Sequence, residues 1–167
     1  MATKSAIATL VLRILTLALI AASIALLATN KFTVDGTKTT FKDVQAYKYV
    51  ISAALLGFLY TLFQIPFAIY HVATEKRVIR NECLPEFDFY ADQIVAYILA
   101  TAVGAGFAVT FEFKKLVKEI MGEKFLDKGN IATGVLFLGF LCVAAQVLIS
   151  AMSRNSPPPP TRRGFFG

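Results

Sequence analysis

Two residues of opposite charge, Arg13 and Asp92, lie inside long apolar stretches of the chain. An ionisable side chain within a membrane-spanning helix costs roughly 2.5–3.5 kcal/mol on insertion scales, so such residues usually have a role. Three interpretations of these two residues are open: a buried ion pair, a path for an ion or proton, or two unrelated side chains that snorkel to the membrane surface. The planar guanidinium of arginine suits bidentate pairing with a carboxylate, which favours the ion pair.

A transport path would require further polar groups at membrane depth. Thr16, Ser23, Gln64 and Gln146 also fall within the apolar stretches, and they are too few and too scattered along the chain to form one. The sequence has no glycine-rich phosphate loop, no metal-ligand cluster and no Ser/His/Asp set. We therefore expect no enzyme activity, no metal and no cofactor.

The elements that position Arg13 and Asp92 are long enough to cross a bilayer. The 167-residue chain is 56% hydrophobic and only 17% charged, too apolar for one soluble domain or for a disordered chain. Contiguous apolar residues predict four membrane spans, at about residues 8–28, 50–72, 90–111 and 131–152. The predicted fold is all-α: a polytopic membrane protein whose residues 1–153 form an antiparallel bundle of four transmembrane helices. A Pro/Arg-rich tail follows at 154–167.

Spans one and three of such a bundle run in the same direction, so Arg13 and Asp92 lie toward the same leaflet. Counted from the starts of their spans, their depths differ by about 5 Å at 1.5 Å per residue. An arginine side chain can reach across that distance. We interpret the two residues as an ion pair that holds span one against span three, with a transport path and unrelated snorkelling as the alternatives.

Two further features of the spans concern helix packing and helix shape. Span three carries small residues at every fourth position, Ala96, Ala100, Gly104 and Ala108, and small-xxx-small stripes let helix backbones approach closely in lipid. The stripe predicts packing either within the bundle or between protomers. Pro66 in span two removes a backbone hydrogen bond and predicts a kink there.

The distribution of positive charge does not decide the orientation. Four spans place both termini on one side of the membrane, and Lys and Arg are divided almost evenly between the two sides. The net charge of +6 supports no nucleic-acid partner either, because the basic residues are split across both faces of a membrane.

Three segments of the chain resemble the plant Casparian strip membrane domain protein-like family, which is similar to the MARVEL four-helix proteins. The segments are Leu12-Arg13-Ile14-Leu15, Tyr47-Lys48-Tyr49-Val50-Ile51-Ser52-Ala53 and Phe89-Tyr90-Ala91-Asp92-Gln93-Ile94. The resemblance covers about Lys4 to Ser153, and it carries the family's intramembrane arginine and aspartate onto Arg13 and Asp92. It implies cytosolic termini and a plasma-membrane location. It also implies a homodimer or higher homo-oligomer, and hetero-oligomers with related membrane proteins.

The function expected from this resemblance is that of a non-catalytic scaffold in the lipid bilayer of the plasma membrane, which self-associates to form a membrane domain. The alternative is a small channel or transporter subunit. Both outer loops lack cysteine, and the first, around Thr33-Val34-Asp35-Gly36-Thr37, lacks the motif of the proteins that build the Casparian strip itself. The resemblance therefore points to the broader "like" members of the family.

Overall fold

The computed structural model describes the backbone of residues 2–34, 37–40, 44–74, 83–116 and 123–155, and the side chains of residues 7–31, 44–69, 88–115 and 125–152. Within these ranges the chain forms four long helices: α1 Ala2–Ala28, α2 Gln45–Thr74, α3 Cys83–Leu116 and α4 Glu123–Asn155. In hydrocarbon, backbone N–H and C=O groups must find their partners inside the segment, so long apolar runs fold as helices. All four are long and apolar enough to cross a membrane, and the predicted all-α, four-span fold is confirmed.

The helices continue past most of the predicted span limits. α3 runs without a break through Phe111 to Leu116, and α4 reaches Asn155, so the first two residues of the predicted tail are helical. Residues 156–167 lie outside the described part of the chain. α2 runs through Pro66, and a bend at this proline stays a prediction.

A short β-hairpin between α1 and α2 lies outside the sequence predictions. β1 Lys31–Val34 pairs antiparallel with β2 Thr37–Thr40, with Lys31 opposite Thr40 and Val34 opposite Thr37. Asn30 directly precedes β1, and its side-chain Nδ2 donates to the carbonyl oxygen of Phe125 in α4 over 2.9 Å. This bond ties the base of the hairpin to the helix bundle.

The four helices form a ring in chain order. α1 packs against α2 and α4, and α3 packs against the same two helices, so α1 lies diagonally across from α3 and α2 from α4. Apolar side chains fill the centre of the ring, and Ile20, Leu99 and Leu136 are among those that are fully buried. Arg13 and Asp92 therefore belong to helices at opposite corners of the bundle.

Candidate functional site: a polar layer that joins the four spans

Arg13 and Asp92 meet inside the bundle. Nη2 of Arg13 donates to Oδ2 of Asp92 over 3.1 Å. The two residues are only 6% and 3% exposed, so the pair is shielded from its surroundings. Because α1 and α3 lie on a diagonal of the ring, the bond crosses the centre of the bundle. The structure thus brings together the two residues that the sequence predicts to pair.

A tyrosine of α2 completes the environment of the carboxylate. The Tyr60 hydroxyl donates to Oδ1 of Asp92 over 2.6 Å, so each carboxylate oxygen has its own donor. Hydrogen bonds to a charged acceptor are roughly twice as strong as neutral ones. The sequence predictions missed Tyr60, because a single tyrosine in an apolar span looks like any other amphipathic residue.

A second carboxylate lies one helical turn before Asp92. Nε2 of Gln64 lies 3.1 Å from Oδ1 of Asp88 and 3.0 Å from the Tyr60 hydroxyl oxygen. Gln64 follows Tyr60 by four residues on α2, and Asp92 follows Asp88 by four residues on α3. Residues four apart lie on one face of a helix, and these two facing pairs form a ladder between α2 and α3. Their matched spacing is the sequence signal that could have identified Gln64 and Asp88.

α4 joins the same region through Gln146. Its Nε2 donates to Oγ1 of Thr16 over 3.2 Å, and the Thr16 hydroxyl donates to the carbonyl oxygen of Leu12 over 2.7 Å. All four helices therefore contribute to one set of linked or adjacent polar side chains. We call this set the polar layer: Arg13, Thr16, Tyr60, Gln64, Asp88, Asp92 and Gln146.

Thr16, Gln64 and Gln146 are scattered along the sequence but lie together in the structure, and whether they could form a transport path stays a prediction. Residues far apart in sequence become neighbours when antiparallel helices pack in a ring. Ser23 alone lies apart, and its hydroxyl donates to the carbonyl oxygen of Ala132 in α4 over 2.7 Å.

A second group of contacts holds the opposite end of the bundle. The Thr110 hydroxyl donates to the carbonyl oxygen of Gly106, so the Tyr47 hydroxyl is the donor in its 3.0 Å bond to Oγ1 of Thr110. The ring of Tyr47 packs edge-on to Phe125, with centroids 6.1 Å apart. It also lies against Gly129, where an added Cβ would come within 2.9 Å of the ring. These contacts cross the α2–α4 diagonal.

The small residues of span three lie on different surfaces of the bundle. Ala96 is 7% exposed and belongs to the core, whereas Gly104 and Ala108 are exposed. An added Cβ at Gly104 would have no neighbour within 4 Å. A row of every fourth residue drifts by about 40° per step around an α-helix of 3.6 residues per turn. The row therefore passes from the interior through Ala100 to the outer surface, and its role in assembly stays a prediction.

The groups of the polar layer can form hydrogen bonds and one ion pair between helices. Its charged groups are one guanidinium and two carboxylates, and both oxygens of Asp92 are engaged by donors of the chain. In the part of the chain that the structure describes, no three His, Cys, Asp or Glu side chains are grouped to hold a metal ion. The arrangement can hold α1, α2 and α3 together and fix their relative depth.

These features define an α-helical membrane protein with four spans and an ion pair across the centre of its bundle. The model of the Casparian strip membrane protein domain matches residues 2–142, and the chain belongs to that family. The resemblance seen in the sequence is confirmed.

The chain is similar to several plant proteins over most of its length. CASP-like protein 4D1 of Ricinus communis is 37% identical over 152 residues, which cover 88% of this chain and 90% of the relative. CASP-like protein 4D1 of Populus trichocarpa is 35% identical, with 85% and 83% covered. CASP-like protein 4D2 of Arabidopsis thaliana is 32% identical, with 86% and 87% covered. No solved structure matches the chain.

Proposed function

We propose that this protein is a non-catalytic plasma-membrane scaffold that self-associates to form a membrane domain, with both termini in the cytosol. The observation that carries the proposal is the pairing of Arg13 with Asp92 across the bundle, with Tyr60 on the second carboxylate oxygen. These costly intramembrane charges are used to connect helices of one protomer. A scaffold requires such a fixed unit, with outer surfaces that remain available to neighbours.

The alternative, a small channel or transporter subunit, would require polar groups that continue through the bundle. Beyond the polar layer, toward the hairpin end, lie the fully buried side chains of Ile20, Leu99 and Leu136. Packing here is close, because an added Cβ at Gly57 would lie 3.2 Å from Leu99 and 3.4 Å from Ile20. An apolar barrier of this kind favours the scaffold over the channel.

Family membership supports the location and the orientation. The names of the relatives identify them only as CASP-like proteins, so self-association must be argued from this chain. Its support is the open surface at Gly104 and Ala108, where small residues leave room for another helix.

The proposal is tested with two differently tagged full-length copies in plant cells. We expect plasma-membrane fluorescence in patches that recover slowly after bleaching, and recovery of one tag with the other after crosslinking in intact membranes. Gly104→Leu should speed recovery, because it adds bulk on the proposed contact surface. Gly134→Leu is the matched control, since an added Cβ there also meets nothing within 4 Å. Free diffusion of the wild-type protein, or ion flux through purified protein in liposomes, would contradict the scaffold.

A further inference from the structure

One outward face of α3 carries residues at alternating intervals of three and four. These are Ile94, Tyr97, Thr101, Gly104, Ala108 and Phe111, and all six are exposed on the bundle surface. We call them the outer seam. This alternation is the 3.5-residue period with which two parallel helices stay in contact along their length.

Tyr97 of the outer seam and the adjacent Gln93 have unfilled hydrogen-bonding capacity at membrane depth. Tyr97 is 62% exposed, and its hydroxyl oxygen accepts from Nε2 of Gln93 over 2.9 Å. Among the described residues, none accepts the Tyr97 hydroxyl hydrogen and none donates to Oε1 of Gln93. Counted from Asp88, where the apolar span begins, Tyr97 lies about 14 Å along the helix. Lipid at that depth offers no hydrogen-bond partner.

The other outward faces differ from this one within the described ranges. Among the exposed large hydrophobic side chains of α1 and α4, none is a tyrosine: Ile7, Val11, Ile14, Leu15, Ile131, Phe137, Leu138, Leu141, Leu148 and Met152. The exposed hydroxyl of Tyr49 on α2 is satisfied, because Thr101 donates to Ile98 and so accepts from Tyr49 over 2.7 Å. Among the exposed tyrosines of the described ranges, Tyr97 therefore combines a position well inside its span with an unfilled donor, because Tyr49 is satisfied and Tyr90 lies only two residues from Asp88.

We propose that the outer seam binds the same seam of a second copy of this chain, with the two α3 helices parallel. The inference rests on the proposed scaffold function and names the surface that serves it. A two-fold axis along the membrane normal places identical residues of two copies opposite each other at equal depth. Gln93 and Tyr97 each carry both a donor and an acceptor, so this pair is complementary to its own copy.

The rest of the seam permits this approach. No seam residue is charged, so two copies meet without repulsion between like charges. Gly104 and Ala108 are the small residues that let two backbones come close. A different partner would need its own donor and acceptor at the same depth, whereas a second copy provides them by symmetry.

The experiment is disulfide crosslinking in native membranes of the full-length chain with Cys83→Ser and Cys142→Ala. Single cysteines are placed on the seam by Thr101→Cys, Gly104→Cys or Ala108→Cys. Leu138→Cys and Leu141→Cys on the outward face of α4 are the matched controls. We expect disulfide-linked dimers from the seam positions and few from α4.

The polar contribution is measured separately, by energy transfer between labelled copies diluted into lipid. Gln93→Leu with Tyr97→Phe should weaken the dimer about threefold to fifteenfold, the effect of one or two interhelical hydrogen bonds in a membrane. Leu138→Ala is the control and should leave the dissociation constant unchanged.

The possible results separate this inference from the proposed function. If copies associate but crosslink through α4, or if the Gln93/Tyr97 variant dimerises as tightly as the wild type, the seam is wrong and the scaffold stands. A seam that crosslinks only to a different protein overturns the second copy as its occupant. If no association is found at all, both the seam and the scaffold fall.

Discussion

Removing either partner of the Arg13–Asp92 pair should destabilise the bundle, and removing both should cost less than the sum of the two losses. Arg13→Ala leaves a buried carboxylate with Tyr60 as its remaining donor among the bonds seen in the structure. Asp92→Ala leaves a buried guanidinium, and the Tyr60 hydroxyl keeps only its longer 3.4 Å bond to the carbonyl oxygen of Asp88. The two single changes are therefore unequal in what they leave behind.

The burial of both residues sets the size of the effect. Breaking a buried ion pair by removing one partner typically costs about 3–5 kcal/mol, which corresponds to a factor of roughly 10² to 5 × 10³ in the folding equilibrium. Asp92→Ala also removes the short 2.6 Å bond from the Tyr60 hydroxyl, and a hydrogen bond to a charged group contributes about 1.5–3 kcal/mol, so Asp92→Ala should be the more damaging change. The double variant leaves no unpaired charge. We expect a coupling free energy of about 2–3 kcal/mol, near the upper end for residues in contact.

The assay is a double-mutant cycle read in two ways. Surface delivery of the full-length protein is measured by labelling intact cells, and unfolding is measured by heating the purified protein in a mild detergent. The exposed pair Lys114–Asp127, at 2.7 Å, is the matched control. An exposed ion pair is worth about 0–1 kcal/mol, so its cycle should show little loss and little coupling.

If the double variant loses as much stability as the two single variants together, the reasoning is refuted. Each single change already removes the bond between Arg13 and Asp92, so the second change cannot remove it again. A coupling as small as that of Lys114–Asp127 would have the same meaning. If the single variants fold and reach the surface normally but lose an ion conductance of the wild type, the pair serves ion transport and does not stabilise the fold.

Three more predictions follow from individual positions. In a cysteine-free background, Thr37→Cys should react with an impermeant thiol reagent on intact cells and Ser156→Cys should not, and the reverse pattern would invert the proposed orientation. Gly129→Ala should lower the free energy of unfolding by about 1–3 kcal/mol, because its Cβ would press on the buried tyrosine ring of α2. Gly134→Ala, with open space around its Cβ, should be neutral in the same thermal assay or stabilising by up to about 1 kcal/mol. Tyr60→Phe should cost about 1–3 kcal/mol, since it removes a donor from a buried carboxylate, and a melting temperature equal to that of the wild type would contradict this role.

The four-span fold could be predicted from the sequence because lipid leaves few choices to a backbone. A run such as residues 8–28 is too long and too apolar for any element but a spanning helix. The pairing of Arg13 with Asp92 followed from the same constraint, since the parallel direction of spans one and three fixes both charges near one leaflet. The length of a span and the direction in which it crosses the membrane can be derived directly from the sequence.

Contacts that depend on helix rotation could not be predicted in this way. The four-residue spacing of Tyr60 and Gln64, and of Asp88 and Asp92, could have named these residues as candidates. It does not give the angle at which α2 faces α3, so their contacts appear only in the assembled ring. The sequence also leaves open the rotation of α3 about its axis, so it does not show which small residues of span three face outward. In the structure Ala96 lies in the core.

The hairpin could have been predicted. Two short runs flank Asp35-Gly36, a dipeptide that favours two-residue hairpin turns. The β-propensity of the second run, Thr37-Lys38-Thr39-Thr40, comes from threonines that also suit a polar loop, so the run reads as a connection between spans.

The diagonal ion pair also sets an order of events during synthesis. Arg13 and Asp92 are 79 positions apart, and at about 5–20 residues per second the ribosome needs roughly 4–16 s to bring the second after the first. During that interval α1 has been made while the carboxylate that will neutralise its arginine has not. Until α3 is made, the Arg13 side chain therefore needs another polar environment, from the insertion machinery, lipid phosphates or water at the membrane edge. Insertion of α3 ends that dependence, and a chain that stops or misinserts after α2 keeps an arginine without its partner carboxylate.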